Sequence, residues 1–141
     1  SQHLMSLGIP LNTDSTLKGQ TVFLAERCGE LMHDSIITDR TILDVMAFTI
    51  NAKSIPHQDK EAFETYASEF IREYDYIFYI SPHGIEIEDN GVRETDKQYR
   101  DLIDFTITTL IKRHGHKAGT IEKISGSTEE RIQQILNVTK L

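Results

Sequence analysis

The stretch Asp75-Tyr-Ile-Phe-Tyr-Ile-Ser-Pro-His-Gly-Ile-Glu-Ile-Glu-Asp-Asn-Gly-Val-Arg-Glu-Thr-Asp-Lys-Gln-Tyr-Arg100 passes from an apolar run into a polar, glycine-containing loop and then into an amphipathic segment. Tyr76 to Ile80 is nearly continuously apolar, the pattern of a strand covered on both faces in a parallel sheet. Residues 81–95 read as a loop, and Tyr99, Ile103, Ile107, Leu110 and Ile111 predict a helix from Asp96 to about Arg113. Arg93 lies on the loop and Arg100 in the first turns of the helix. A buried strand that delivers a cationic loop to its own carboxyl end suits the handling of an anion, most often a phosphate.

Downstream, residues 115–119 make a turn and Thr120 to Ser125 form a weaker last strand. Ser127-Thr-Glu-Glu130 is a capping box that opens a final helix, with Ile132, Ile135, Leu136 and Val138 expected inward. Upstream, Leu17, Thr21, Leu24, Cys28 and Leu31 fall at helical spacing between Thr16 and Met32. Ser35-Ile-Ile-Thr38 is a short β-favouring run that ends at Asp39-Arg40. Helices are predicted over Thr41–Asn51, bounded by Ser54 and Pro56, and over His57–Glu73. In the second of these, Phe63, Tyr66, Ala67, Phe70 and Ile71 make one apolar stripe. Strands alternating with helices indicate a single α/β domain over residues 1–141, built on a parallel sheet. Three strands make a narrow sheet for so many apolar helices, the pattern of a chain that lacks its first strands.

The bulk composition narrows the functional classes. At 141 residues the chain is long enough for a real core, and 26% charged with 38% hydrophobic residues is ordinary for a globular domain. A formal charge of −7 speaks against a general nucleic-acid binder and against a polybasic membrane contact. No apolar run reaches the roughly 18 residues that span a bilayer, and the N-terminus lacks the features of a signal peptide. The single cysteine, Cys28, cannot form an internal disulfide, so the expected compartment is reducing, with the cytoplasm as the default. The six histidines are scattered and suggest no structural zinc site. Cys28 lies on an apolar helical face, which favours an inert thiol over a nucleophile.

Three groups of residues could carry chemistry. Asp39-Arg40 follows an apolar run and precedes a helix, where Asp39 could hold Mg²⁺ and Arg40 could pair with a phosphate. An N-capping aspartate beside a surface arginine is the competing explanation. Arg93 and Arg100 could close onto a transferring phosphoryl group, with Glu86, Glu88, Asp89 and Glu94 holding them open beforehand. A solvated charged loop explains the same residues. Ser125-Gly-Ser127 could offer backbone N–H groups to an anion or a base edge, or could simply cap the last helix.

Taken in order, several segments resemble a known family. Residues 8–12 (Gly-Ile-Pro-Leu-Asn), Thr38-Asp-Arg-Thr41 with Leu43-Asp-Val45, Asp75 to Ile80, Asp89-Asn-Gly-Val-Arg93 with Asp96, Tyr99 and Arg100, and Ile124-Ser-Gly-Ser-Thr-Glu-Glu-Arg131 carry the resemblance. Together they are similar to small P-loop kinase-like ATPases, the group that includes ribosylnicotinamide kinase domains and, more distantly, thymidylate and deoxynucleoside kinases. The likeness covers nearly the whole chain, and residues 81–95 take the place of the lid.

The resemblance implies a three-layer P-loop fold and an ATP- and Mg²⁺-dependent phosphotransferase acting on a small-molecule acceptor. It places Asp39 near Mg²⁺, Arg40 toward the acceptor, Arg93 and Arg100 on the lid, and Gly126 and Ser127 near the adenine base. The sequence departs from the family in one respect, because nothing in it matches Gly-x-x-x-x-Gly-Lys-Ser/Thr. Roughly forty residues carrying that loop and two strands are expected ahead of Ser1. A chain without them is expected to bind ATP poorly. A catalytically inactive binding module and an ATPase switch are the other readings, and a homodimer is left open.

Overall fold

The computed structural model describes residues 15–82 and 94–140. The elements run α1 (Leu17–Glu30), α2 (Ile42–Ile50), α3 (His57–Ser68), a 3₁₀ turn (Glu69–Glu73), β1 (Tyr76–Ile80), α4 (Glu94–His114), a second 3₁₀ turn (Gly115–Lys117), β2 (Thr120–Ile124) and α5 (Thr128–Thr139). The architecture is α/β, mostly helical, with a parallel sheet of two strands among the described residues.

The core is built around α2, whose sequence Ile-Leu-Asp-Val-Met-Ala-Phe-Thr-Ile is apolar nearly all round, as a helix enclosed by others requires. Ile42, Met46 and Ala47 are fully buried. Thr41 starts the helix with a capping box: its hydroxyl accepts from the Leu43 N–H at 3.1 Å while its own N–H donates to the Asp44 carboxylate at 2.8 Å. Helices α1, α3 and α4 pack around it. Its buried polar groups are satisfied by those neighbours. Gln20 Nε2 of α1 donates to Thr49 Oγ1 at 3.0 Å, and Asn51 Nδ2 donates to Thr106 Oγ1 of α4 at 2.9 Å.

The strand β1 adds Ile77 to this core, and the crossover through α4 brings β2 alongside it in parallel, as a connection of that length allows. Tyr76 pairs with Thr120 and Ile80 with Ile124. The strands draw together at Gly119, whose N–H donates to Tyr74 O at 3.0 Å. A Cβ on Gly119 would lie 2.5 Å from Asp75 O, so only glycine admits this approach.

The sequence-predicted helices stand where expected, within a few residues at each end. The predicted helix over 57–73 finishes in a 3₁₀ turn rather than in regular α geometry. Two expectations are corrected. Ser35 to Thr38 is not a strand: it has no ladder partner among the described residues, and Ile37 is 95% exposed. β-Favouring residues form a strand only where a neighbouring strand takes up their backbone groups. The stripes on α3 and α5 are also less buried than their periodicity implies, because Tyr66, Ile132 and Leu136 are exposed. No element among the described residues lies against those positions of α5 closely enough to bury any of its residues. The three-layer P-loop arrangement goes further than this two-stranded sheet shows.

Candidate functional site

The carboxyl end of β1 collects the most chemistry. Tyr79 points from the strand toward α4, where its hydroxyl donates to the Asp104 carboxylate. Burial pushes the Tyr79 phenol up to about 12, and the hydrogen bond and charge of Asp104 add to that, while Ser81 acts on the same hydroxyl in the opposite sense. Arg100 stands one helical turn before Asp104 on α4, the i, i+4 relation that puts both side chains on one face. Its Nε is buried without a hydrogen-bond partner among the described residues, and the nearest carboxylate oxygen, on Asp101, is 4.0 Å away. The hydroxyl of the preceding residue, Tyr99, is also buried and unpartnered, with its ring 6.2 Å from Phe48 of α2. Two buried polar atoms on consecutive residues, without partners among the described residues, are a departure from the usual pairing of such groups.

Asp39 and Arg40 lie on the connection between α1 and α2. Both side chains are exposed. Their backbone is held from two sides: Arg27 Nη1 donates to Asp39 O at 3.1 Å, and Thr38 Oγ1 donates to Arg40 O at 3.0 Å. Arg40 is left-handed, with φ 76°, a conformation that L side chains adopt at a cost of about 1–2 kcal/mol. Ser35 and Lys140 share this left-handed backbone, with φ 56° and 57°. The Asp39 carboxylate offers one oxygen ligand to a cation such as Mg²⁺ that keeps most of its waters. Among the described residues no set of three His, Cys, Asp or Glu side chains gathers to hold a metal by itself.

Gly126 and Ser127 form the start of α5. Gly126 has φ 98°, and a Cβ there would meet Glu130 Oε2 at 2.9 Å. Ser127 Oγ accepts from the Glu130 N–H at 3.1 Å, and the Ser127 N–H donates to Glu130 Oε1 at 3.2 Å. The capping box thus uses the polar groups of Ser127 within the chain. The N–H groups of Thr128 and Glu129 keep no intrahelical partner, as at any helix start.

The structure therefore places Arg100 in the second turn of α4, Asp39 with Arg40 on the α1–α2 connection, and Gly126 with Ser127 ahead of α5. No hydrogen bond or ion pair joins one set to another among the described residues. Arg93 and most of the lid-like loop lie outside the described residues, as does the 8–12 segment. The Tyr79–Asp104 pair was missed in the sequence, where Tyr79 reads as core. The available signal was the four-residue spacing from Arg100 to Asp104. Cys28 is partly buried against the core, and burial pushes its thiol up, in keeping with an inert role.

A separate cleft of about 700 Å³ lies between α3 and α4, lined by Ile50, Lys60, Glu64, Phe105 and Arg113 among others. Its Glu64 is already matched. Arg113 Nη1 donates to both Glu64 oxygens at 2.8 and 2.9 Å, and His114 Nε2 lies 2.8 Å from Glu64 Oε2. Partial burial pulls the Glu64 carboxyl upward, but these partners outweigh it and hold it below the usual range.

The fold and this geometry define a small α/β domain with a cationic residue on α4 near the carboxyl end of β1. Comparison with protein-family models, curated proteins and solved structures finds no match for this chain.

Proposed function

We propose that this domain handles a phosphate-bearing ligand at the carboxyl end of β1, as part of a phosphotransferase of nucleoside or nucleotide kinase type. The observation that carries the reading is Arg100, whose buried Nε has no acceptor among the described residues, one helical turn from the Tyr79–Asp104 pair. A guanidinium so placed, with 39% of its side chain exposed, presents a planar donor set to phosphate oxygens. The strained Asp39-Arg40 connection supports the same reading, with Asp39 holding Mg²⁺ and Arg40 turned to the acceptor. Arg93 joins Arg100 on the transferring group, and Gly126 with Ser127 approach the base. ATP supplies the phosphoryl group. The phosphate-cradling loop is not part of this sequence, so the reading assigns turnover to a form of the protein that carries one.

The test is calorimetric titration of the 141-residue chain with inorganic phosphate, alongside Arg100→Gln. Binding that weakens at least about tenfold in the variant, the loss of one charge-assisted contact, supports the reading. Absence of binding, or equal affinity in both proteins, overturns it. A catalytically inactive binding module is the second reading, favoured by the edge of β1 that has no strand beside it among the described residues.

A further inference from the structure

Arg100 and Asp104 are residues of opposite charge at i, i+4 on α4, the spacing at which such side chains ordinarily pair. They do not pair here. The carboxylate nearest the Arg100 guanidinium is that of Asp101, 4.0 Å from Nε, and no ion pair joins Arg100 to Asp104. Asp101 does not replace Asp104, since neighbouring residues diverge around a helix axis. The Asp104 carboxylate is engaged by the Tyr79 hydroxyl, which reaches it from β1 across a separation of 25 residues in the chain.

The tyrosine is well placed to hold that carboxylate. Its backbone is fixed in the ladder to β2, where Tyr79 stands opposite Lys123. A tyrosine ring has few torsions to fix, whereas an arginine gives up the freedom of a long chain to hold one carboxylate at a partly exposed site. Burial pushes the phenol up to about 12, with the hydrogen bond to Asp104 acting in the same direction. The hydroxyl therefore keeps the proton that it donates across the ordinary pH range.

We infer that Tyr79 is a positioning residue for Arg100: by holding the Asp104 carboxylate it keeps that carboxylate off the guanidinium, which stays open to a phosphate. The inference rests on the phosphate reading for its ligand and on the Tyr79–Asp104 hydrogen bond for its mechanism. Tyr79 makes no contact with the anion in this arrangement and acts only through Asp104. Without its hydroxyl, Asp104 is released to the partner that helical spacing offers, and an anion must then displace a carboxylate before it reaches Arg100. The strand thereby sets the charge state of a helix face that the helix sequence alone would leave neutralised.

Calorimetric titration with inorganic phosphate tests this in the full 141-residue chain, comparing the parent with Arg100→Gln, with Tyr79→Phe, and with Tyr79→Phe joined to Asp104→Asn. Tyr79→Phe is expected to weaken phosphate binding at least about twofold, the strength of one helical ion pair that the anion must break. Adding Asp104→Asn is expected to restore the parental affinity, a rescue that the loss of a merely structural tyrosine would not permit. A crystal structure of Tyr79→Phe is expected to bring an Arg100 nitrogen within about 4 Å of an Asp104 oxygen. Where the parent binds phosphate more tightly than Arg100→Gln, parental affinity in Tyr79→Phe overturns the inference, and so does a loss that Asp104→Asn does not restore. Where the parent and Arg100→Gln are equal, the phosphate reading falls and the crystal structure decides the rest. Asp104 still clear of Arg100 then overturns the inference, and the two joined upholds Tyr79 as the group that keeps them apart. If circular dichroism shows Tyr79→Phe unfolded, Asp104→Asn alone carries the test: phosphate bound at least as tightly as by the parent supports the inference, and weaker binding overturns it.

Discussion

Arg40 shows how much one residue can reveal. Its left-handed backbone carries a penalty that glycine would avoid, yet two side-chain hydrogen bonds, from Arg27 and Thr38, keep the chain in that shape. Arg40→Gly is therefore expected to leave stability unchanged or raise it by up to about 1 kcal/mol, since relief of strain outweighs the added freedom of the unfolded chain. Chemical denaturation checks this, and a clear loss of stability would mean that the Arg40 side chain supports the fold. The residue pair Asp39-Arg40 was legible in the sequence as a candidate, but its strain was not, because nothing in the residue types demands a positive φ. Arg100 was legible for a different reason: helical periodicity from Tyr99 to Ile111 fixes the face from which it projects. Tyr79 was not, since a tyrosine in an apolar run gives no sign of which carboxylate its hydroxyl reaches.

Among the elements, α5 depends most on its own local chemistry. None of its described residues is buried, and Ile132 is 51% exposed, so tertiary packing lends it little. Its capping box and the Gln134 side chain, which donates to Ser125 O at 2.7 Å, hold its first turns. Ser127→Ala is expected to cost about 1 kcal/mol of helix stability, read as faster amide exchange across residues 128–139. Unchanged exchange there would show that the helix is held by contacts rather than by its cap. The Ser-x-x-Glu signature made the start of this helix plain from the sequence. The helix α2 was equally plain in extent, whereas its central place was not read from the sequence. The run at Ser35–Thr38 misled because β-propensity describes a residue's fit to a sheet, and the partner strand that would complete the sheet is not written in the run itself.

At the level of the whole molecule, two tyrosines tie β1 to the helices around it. The Tyr74 hydroxyl accepts from the Ile42 N–H at 3.2 Å at the head of α2, and Tyr79 reaches Asp104 on α4. Burial pushes both phenols up to about 12, from an ordinary value of 10.0. Both folded values lie above the unfolded ones, so the stability they contribute is complete below pH 10.0 and is lost as pH rises toward 12. Stability measured through that window should fall, and in Tyr79→Phe it should fall less steeply; an equal slope would remove the assignment. The α/β class was legible from the alternation of periodicities, while the width of the sheet was not, because each strand reveals itself but not its neighbours. The order of the elements also bears on how the chain reaches this structure. Helices α1, α2 and α3 meet through short connections, whereas β1 and β2 are neighbours in the sheet with all of α4 between them in the chain. Loop-closure entropy must be overcome before that ladder forms, so the helical half can assemble first and the strands join last. During that interval Tyr76, Phe78 and Ile80 stand without a partner on either side, and the yield of refolding at high concentration is decided there.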